Sequence, residues 1–244
     1  MNLSEGNGLR ASASPQLLEN PMTRRILIAA ALVVGALQGV AQAQEKFELA
    51  KIFLERNVMD KDAEVKFDVI GGKGGLASLK VVAPDGRTVI DFKTPQSKLG
   101  MRHLALESPE PLNDGKVQAD FPAGIYMFTG VGTSGEKLEA KATLSHTFPE
   151  PTAFVRPKPD AKNVPLKGLQ VSWKSIKGMD AHVVVIEDEA TGRALKVNLS
   201  GSATLFSVPD GFLLPGTEYK VAVGTVAKDG NSSFIEATFT TAKQ

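Results

Sequence analysis

Three histidines are the first candidates for metal or acid/base chemistry, and their spacing does not favour a shared site. His103, His146 and His182 are far apart, and none has a second His two or four residues away. A metal ion needs three or four converging ligands, and the chain has no Cys to supply thiolates or disulfides. We therefore expect surface or half-buried strand positions for all three and predict no metal or cofactor residues.

Two short acidic stretches carry a weaker signal for Ca²⁺. The first, MDKDAE, holds Asp60, Asp62 and Glu64, and the second is the acidic run at 187–189, close to His182. Acidic turns bind Ca²⁺ through oxygen ligands, but the spaced Asp-x-Asp-x-Asp-Gly loop does not occur here. The sequence leaves weak Ca²⁺ binding open without predicting it.

The string GVGTSG, with Gly130, Gly132 and Gly135, has the spacing of a dinucleotide-binding motif. That motif needs a following helix whose N-terminal amides hold the pyrophosphate. The residues that follow, EKLEAKATLSH, alternate as a strand does, so we predict a hairpin turn instead. There is no Gly-x-Ser-x-Gly motif, and we predict no catalytic residues and no enzymatic activity.

Residues 22–43 have the layout of a cleavable signal peptide. Arg24 and Arg25 precede an apolar run at 26–40, and Ala41-Gln42-Ala43 supplies the small residues of a cleavage site. We expect cleavage after Ala43, a periplasmic or secreted protein, and no membrane span after cleavage. Residues 1–21 are interpreted as an over-called start or a disordered extension, and an unusually long signal n-region stays open.

The charge of the mature chain disfavours nucleic acid as a partner. Removing residues 1–43 takes three of the 28 basic residues and two of the 27 acidic residues, which leaves 25 of each. A neutral chain has no net field that attracts phosphate backbones. We therefore predict no nucleic-acid partner, and we predict a protein or glycan partner of the cell envelope or extracellular space.

Short alternating runs separated by turn residues predict an all-β fold. In AEVKFDVI, Val65, Phe67 and Val69 share one face, and Pro84-Asp85-Gly86 predicts a hairpin. The stretch EKFELAKIFLERNV fits both a helix and a strand, and we favour the strand. We predict six or seven strands over 44–149 and seven in the second half.

Prolines mark the boundary between two predicted domains. Five of them fall in FPEPTAFVRPKPDAKNVP, and each removes a ladder donor. We predict a Pro-rich linker at 150–165, with a possible edge strand at Ala153–Val155, between a first β-sandwich at 44–149 and the rest of a second one at 166–244.

The second half resembles a fibronectin type III domain over roughly residues 150–242. The resemblance includes a Trp on the second strand, LLPGTEYKVAV before the sixth, and a closing ATFTT. The matching residues are Trp173, Leu213, Pro215, Gly216, Thr217 and Tyr219. The family resemblance implies a seven-stranded sandwich that acts as an interaction module or spacer.

The only two tyrosines both follow a Pro and a Gly, in FPAGIY and LPGTEY. In such sandwiches the ring packs at one end of the core while the hydroxyl bonds a nearby backbone carbonyl, an arrangement called a tyrosine corner. Tyr126 therefore predicts a second, immunoglobulin-like sandwich in the first half.

We predict a non-catalytic binding or scaffold protein that acts through sandwich loops or edge strands. The alternative is a carbohydrate-active enzyme or accessory protein with its site in the first domain. Asn198-Leu199-Ser200 and Asn231-Ser232-Ser233 are glycan acceptor strings, relevant only in a glycosylating secretory pathway.

Overall fold

A computed structural model describes residues 46–96, 98–110 and 114–243. The predicted signal peptide and residues 1–21 lie outside the described residues. Within the described parts of the chain, no helix has the length and apolar character needed to cross a bilayer.

Among its described residues, the first half contains seven strands and one short helix. The elements are β1 (Leu49–Asn57), β2 (Asp62–Ile70), β3 (Leu76–Val82), β4 (Thr88–Lys93), β5 (His103–Glu107), α1 (Asp114–Asp120), β6 (Gly124–Gly132) and β7 (Lys137–Leu144). The segment that fitted both a helix and a strand forms β1, and Val65, Phe67 and Val69 are buried together as predicted. The helix was not predicted, because seven residues are too few to show a helical period.

The second half contains eight strands. They are β8 (Phe154–Arg156), β9 (Ala161–Val164), β10 (Gln170–Trp173), β11 (Ala181–Asp188), β12 (Arg193–Ser200), β13 (Leu205–Ser207), β14 (Glu218–Val226) and β15 (Ser232–Thr241). The predicted edge strand is β8, which pairs with β10 at the edge of a three-stranded sheet. Strand β9 was not predicted, because its four residues lie between prolines, and it pairs in parallel with β15.

Two separate apolar cores lie between paired sheets. In the first half, β1, β2 and β5 face the sheet β4-β3-β6-β7. In the second half, β12-β11-β14-β15 faces β13-β10-β8, with Trp173 only 2% exposed between them. Each core is built from the inward positions of alternating strands, as in β-sandwiches.

Both tyrosines occupy the predicted corners and are fully buried. The Tyr126 hydroxyl donates to the carbonyl of Pro122 at 3.1 Å. At Tyr219 the prediction of a carbonyl partner is wrong, because the hydroxyl accepts a hydrogen bond from the backbone N–H of Leu214 at 2.9 Å. The tyrosine hydroxyl therefore meets a backbone carbonyl in the first half and a backbone amide in the second.

The two halves share one sheet, which the sequence did not predict. Strand β1 pairs in parallel with β15. One continuous sheet with the strand order β12-β11-β14-β15-β1-β2-β5 therefore forms one side of both cores. At this junction the Asn231 side chain accepts from the N–H of Leu54 at 2.8 Å and donates to the carbonyls of Ser145 (3.1 Å) and Thr147 (2.9 Å). The junction ties β1, the β14–β15 turn and the end of the first half together. The limits of the two domains stay a prediction.

Candidate functional site

The candidate site lies on the outer face of the shared sheet, which points away from both cores. Side chains on this face alternate with core residues. Glu55 follows Leu54 of the first core, and Glu236 lies between Ile235 and Ala237 of the second. Because β1 and β15 are paired, side chains from both halves of the sequence meet over the junction.

A groove of about 260 Å³ lies on this face. We call it the acidic groove, because carboxylates outnumber ammonium groups in its lining. The carboxylates belong to Glu55, Asp60, Asp62, Glu64, Glu110, Glu187 and Glu236. The ammonium groups belong to Lys196 and Lys220, and Asn57, Val185, Ala222 and Phe234 complete the lining.

At one side of the groove, a single lysine is surrounded by three carboxylates. Lys66 Nζ lies 2.9 Å from Glu55, 3.1 Å from Glu64 and 3.1 Å from Glu107. Burial alone would lower the pKa of Lys66, but the hydrogen bond and charge of Glu55, followed by those of Glu64, raise it. Lys66 therefore stays cationic and balances only part of the negative charge around it.

Glu64 is the most buried of the acidic groove's carboxylates, with 5% of its surface exposed. Its Oε1 bonds Lys66, whereas its buried Oε2 has no hydrogen-bond partner among the described residues. Burial raises the pKa of Glu64 to about 7, against the lowering effect of Lys66. A carboxylate in this position is costly to ionise until a further donor or cation reaches it.

The charges of neighbouring carboxylates contribute to the pKa shifts of Asp62 and Lys220. Burial raises the pKa of Asp62, and the charges of Asp60 and Glu236 raise it further. The pKa of Lys220 is raised by its 2.6 Å ion pair with Glu236, although burial opposes this effect. Both shifts have the direction expected in a region of excess negative charge.

Three apolar residues, Val185, Ala222 and Phe234, are part of the acidic groove's lining, and we call them its floor. Val183, Ala222 and Phe234 form a small buried cluster outside both sandwich cores, with Val185 and Val226 packed against it. The Phe234 ring lies over Gly224, where an added Cβ would come within 2.5 Å of the ring. A second depression of about 380 Å³ continues from the groove across Phe53 and the strand β5 side.

The predicted histidines do not converge. His103 Nε2 lies 2.6 Å from Asp68 on the surface, and His146 Nε2 is 2.8 Å from the Phe121 carbonyl. His182 is wrongly predicted as surface or half-buried, since it is 1% exposed, with its ring centroid 5.4 Å from that of Trp173. It faces inward because its neighbours on β11 face the groove side of the sheet.

The remaining candidate motifs have structural positions. Gly130 and Gly132 lie in β6, and Gly135 lies in the predicted turn to β7, so the hairpin prediction is confirmed. Asp188 is buried and caps its own turn by accepting from the N–H of Ala190 and the hydroxyl of Thr191. Within the described residues, no group of three or more His, Cys, Asp or Glu side chains is arranged to hold a metal ion.

One of the two glycan acceptor strings is buried. Asn231 is 1% exposed, and both polar atoms of its side chain are engaged at the junction. The folded chain therefore cannot present Asn231 for glycosylation. Asn198 lies on the edge strand β12 and is exposed.

Sequence reasoning identified Asp60, Asp62 and Glu64 but missed the groove that they help to form. Their alternating spacing places Asp62 and Glu64 on one face of β2. Glu187 and Glu236 join them only through the pairing of β1 with β15 and of β14 with its neighbours. The sequence signal that could have indicated the groove is the alternation of Asp60, Asp62 and Glu64 at the start of β2.

Comparisons with known proteins give low similarities. No family model matches the chain, and no curated protein matches it significantly. Fibronectin(III)-like modules of Clostridium thermocellum CbhA are 10% identical with a TM-score of 0.34, covering 81% of this chain and 93% of that chain.

Two further solved structures have similar scores. A two-domain fibronectin type III segment of chicken tenascin is 14% identical with a TM-score of 0.30, covering 81% of this chain and all 100% of that chain. The fn3 domain of human collagen alpha-1(XX) is 26% identical with a TM-score of 0.29, covering 38% and 82%. These values transfer no function to the chain, which is mostly β in the residues that the structure describes.

Proposed function

We propose that the chain is an exported, non-catalytic binding or scaffold protein of the cell envelope or extracellular space. The observation that supports this proposal is the acidic groove on the shared sheet. It combines an excess of carboxylates over ammonium groups with an apolar floor, and it is built from strands of both halves.

The junction makes this surface suited to binding. Asn231 and the β1–β15 pairing hold the two halves as parts of one sheet. A surface built on paired strands is held more firmly than one built on loops, so less conformational entropy is lost when a partner docks. In this proposal the second half belongs to the fibronectin type III class by its Trp173 and its tyrosine corner.

Export is tested by expressing the full chain in its own cells. We expect the mature protein in the periplasm or the medium, with Gln44 at its N-terminus. A full-length cytoplasmic product would contradict the export part of the proposal and leave the binding part intact.

Binding is tested by affinity capture with residues 44–244 from a cell-envelope extract, with captured proteins and glycans identified. We expect capture of a partner to saturate, and we expect added free chain to compete with the immobilised chain for that partner. Hydrolytic turnover on a broad panel of glycans and esters, with no captured partner, would contradict the binding proposal.

A further inference from the structure

We propose that the acidic groove binds a lysine- or arginine-bearing segment of a partner protein, with the cationic head group at Glu64 and Asp62 and the aliphatic stem on Phe234 and Ala222. This inference deepens the proposed binding function and rests on it.

The charge of the acidic groove selects a cation. Seven carboxylates and two ammonium groups line it, and Lys220 is already paired with Glu236. The nearby Lys66 shares its charge among three carboxylates. Opposite potentials across an interface favour association and disfavour anionic partners such as phosphate groups.

Glu64 gives the acidic groove a specific position for that cation. It lines the groove, is 5% exposed, and has one carboxylate oxygen without a hydrogen-bond partner among the described residues. Buried carboxylates in folded proteins are normally paired or fully hydrogen-bonded. A hydrogen-bond donor from a ligand in the groove would supply the bond that Oε2 lacks.

The floor distinguishes a basic side chain from a bare metal ion. Lys and Arg bury their methylene stems on apolar surface and keep the charged end among polar groups. The acidic groove offers both kinds of surface, since Val185, Ala222 and Phe234 lie beside the carboxylates. Its volume of about 260 Å³ is large enough for a basic side chain.

The test uses residues 44–244 and a labelled Lys-Val-Lys-Val-Lys peptide, followed by fluorescence anisotropy. Glu-Val-Glu-Val-Glu is the peptide control. We expect saturable binding of the lysine peptide, weakened by salt, and no binding of the glutamate peptide. The double variant Asp62→Asn/Glu64→Gln is expected to weaken binding about tenfold or more, because it removes charges that face the ligand.

A matched double variant controls for net charge. Asp91→Asn/Glu139→Gln makes the same two chemical changes on the four-stranded sheet, where Lys80, Lys93 and Lys137 surround a different depression. We expect this control to bind the lysine peptide within about twofold of the unmodified chain.

Absence of lysine-peptide binding would overturn the inference, and so would equal weakening of binding by both double variants. The groove would also have another occupant if the chain bound Ca²⁺ saturably or self-associated, if Asp62→Asn/Glu64→Gln alone abolished this, and if the lysine peptide did not compete with it. Circular dichroism and urea unfolding of both variants establish that they are folded. Because envelope capture is measured independently, a partner retained equally by Asp62→Asn/Glu64→Gln would refute the groove while leaving the binding function standing.

Discussion

Asn231 and Glu64 are two buried polar side chains on either side of strand β1, and they differ in how their hydrogen bonds are satisfied. Asn231 accepts from Leu54 and donates to Ser145 and Thr147, so its side-chain oxygen and nitrogen both have partners. Glu64 bonds Lys66 through one oxygen and leaves the other without a partner among the described residues. A buried polar group with all its hydrogen bonds formed stabilises one structure. A buried polar group that lacks a hydrogen-bond partner beside a groove is available to a ligand.

Replacing Asn231 is expected to have the largest effect on stability. Asn231→Ala leaves the Leu54 N–H and the two acceptor carbonyls without a partner at a buried junction. We expect the free energy of unfolding to fall by about 3 kcal/mol in urea titrations. Asn198→Ala, on the exposed edge strand, is the control and should stay within about 0.5 kcal/mol. Equal effects of the two variants would show that the junction is not a structural element.

Glu64 is expected to make stability depend on pH in the opposite way to most carboxylates. Its pKa is about 7 in the folded chain and 4.5 without burial. The protonated form is therefore favoured by folding. The corresponding stability is fully present below pH 4.5 and is lost as pH rises through about 7. The charged groups that face Glu64 are Lys66 on β2, Glu55 on β1 and Glu107 on β5.

Glu64→Gln removes this titration and tests the contrast with Asn231. We expect the stability lost between pH 5 and pH 8, measured by urea unfolding, to be about 2 kcal/mol smaller in the variant. Lys66 keeps Glu55 and Glu107 as partners in Glu64→Gln, which limits any effect on folding itself. Glu139→Gln, the same substitution on the exposed face of β7, is the matched control. A wild-type pH dependence retained by Glu64→Gln would contradict the assignment.

The two tyrosine corners allow a finer comparison between satisfied polar groups. Tyr219→Phe leaves the N–H of Leu214 without its acceptor, while Tyr126→Phe leaves the carbonyl of Pro122 without its donor. Unpaired N–H groups are tolerated less well than under-satisfied carbonyls. We expect losses of about 1.5 kcal/mol for Tyr219→Phe and about 1 kcal/mol for Tyr126→Phe in the free energy of unfolding. The reverse order would show that hydrogen-bond direction does not distinguish the corners.

Much of the fold could be predicted from local sequence. Alternation placed Val65, Phe67 and Val69 in a core, and the Pro-Gly-Tyr pattern located both corners. Local patterns record which face of a strand is buried, because burial sets the period of the side chains. They carry no information on the hydroxyl's hydrogen-bond direction at Tyr219.

The shared sheet and the acidic groove could not be predicted in the same way. The β1–β15 pairing joins residues such as Glu55 and Ser232, which lie 177 positions apart, and no periodic signal spans that distance. The groove depends on this pairing, since Glu64 and Glu236 come from different halves. Asn231 matches a glycan acceptor string, and that string gives no sign of its junction partners Ser145 and Thr147, which lie 86 and 84 positions away.

Carboxyl carbon NMR of Glu64, titrated with and without the Lys-Val-Lys-Val-Lys peptide, tests the role of this side chain most directly. For the free chain, we expect a midpoint near 7, with a clear decrease when the peptide is bound, because a cation at Oε2 stabilises the charged form. A midpoint near 4.5 in the free chain that does not change with saturating peptide would contradict two claims. These are that Glu64 is buried with one oxygen lacking a hydrogen-bond partner, and that it binds a cation.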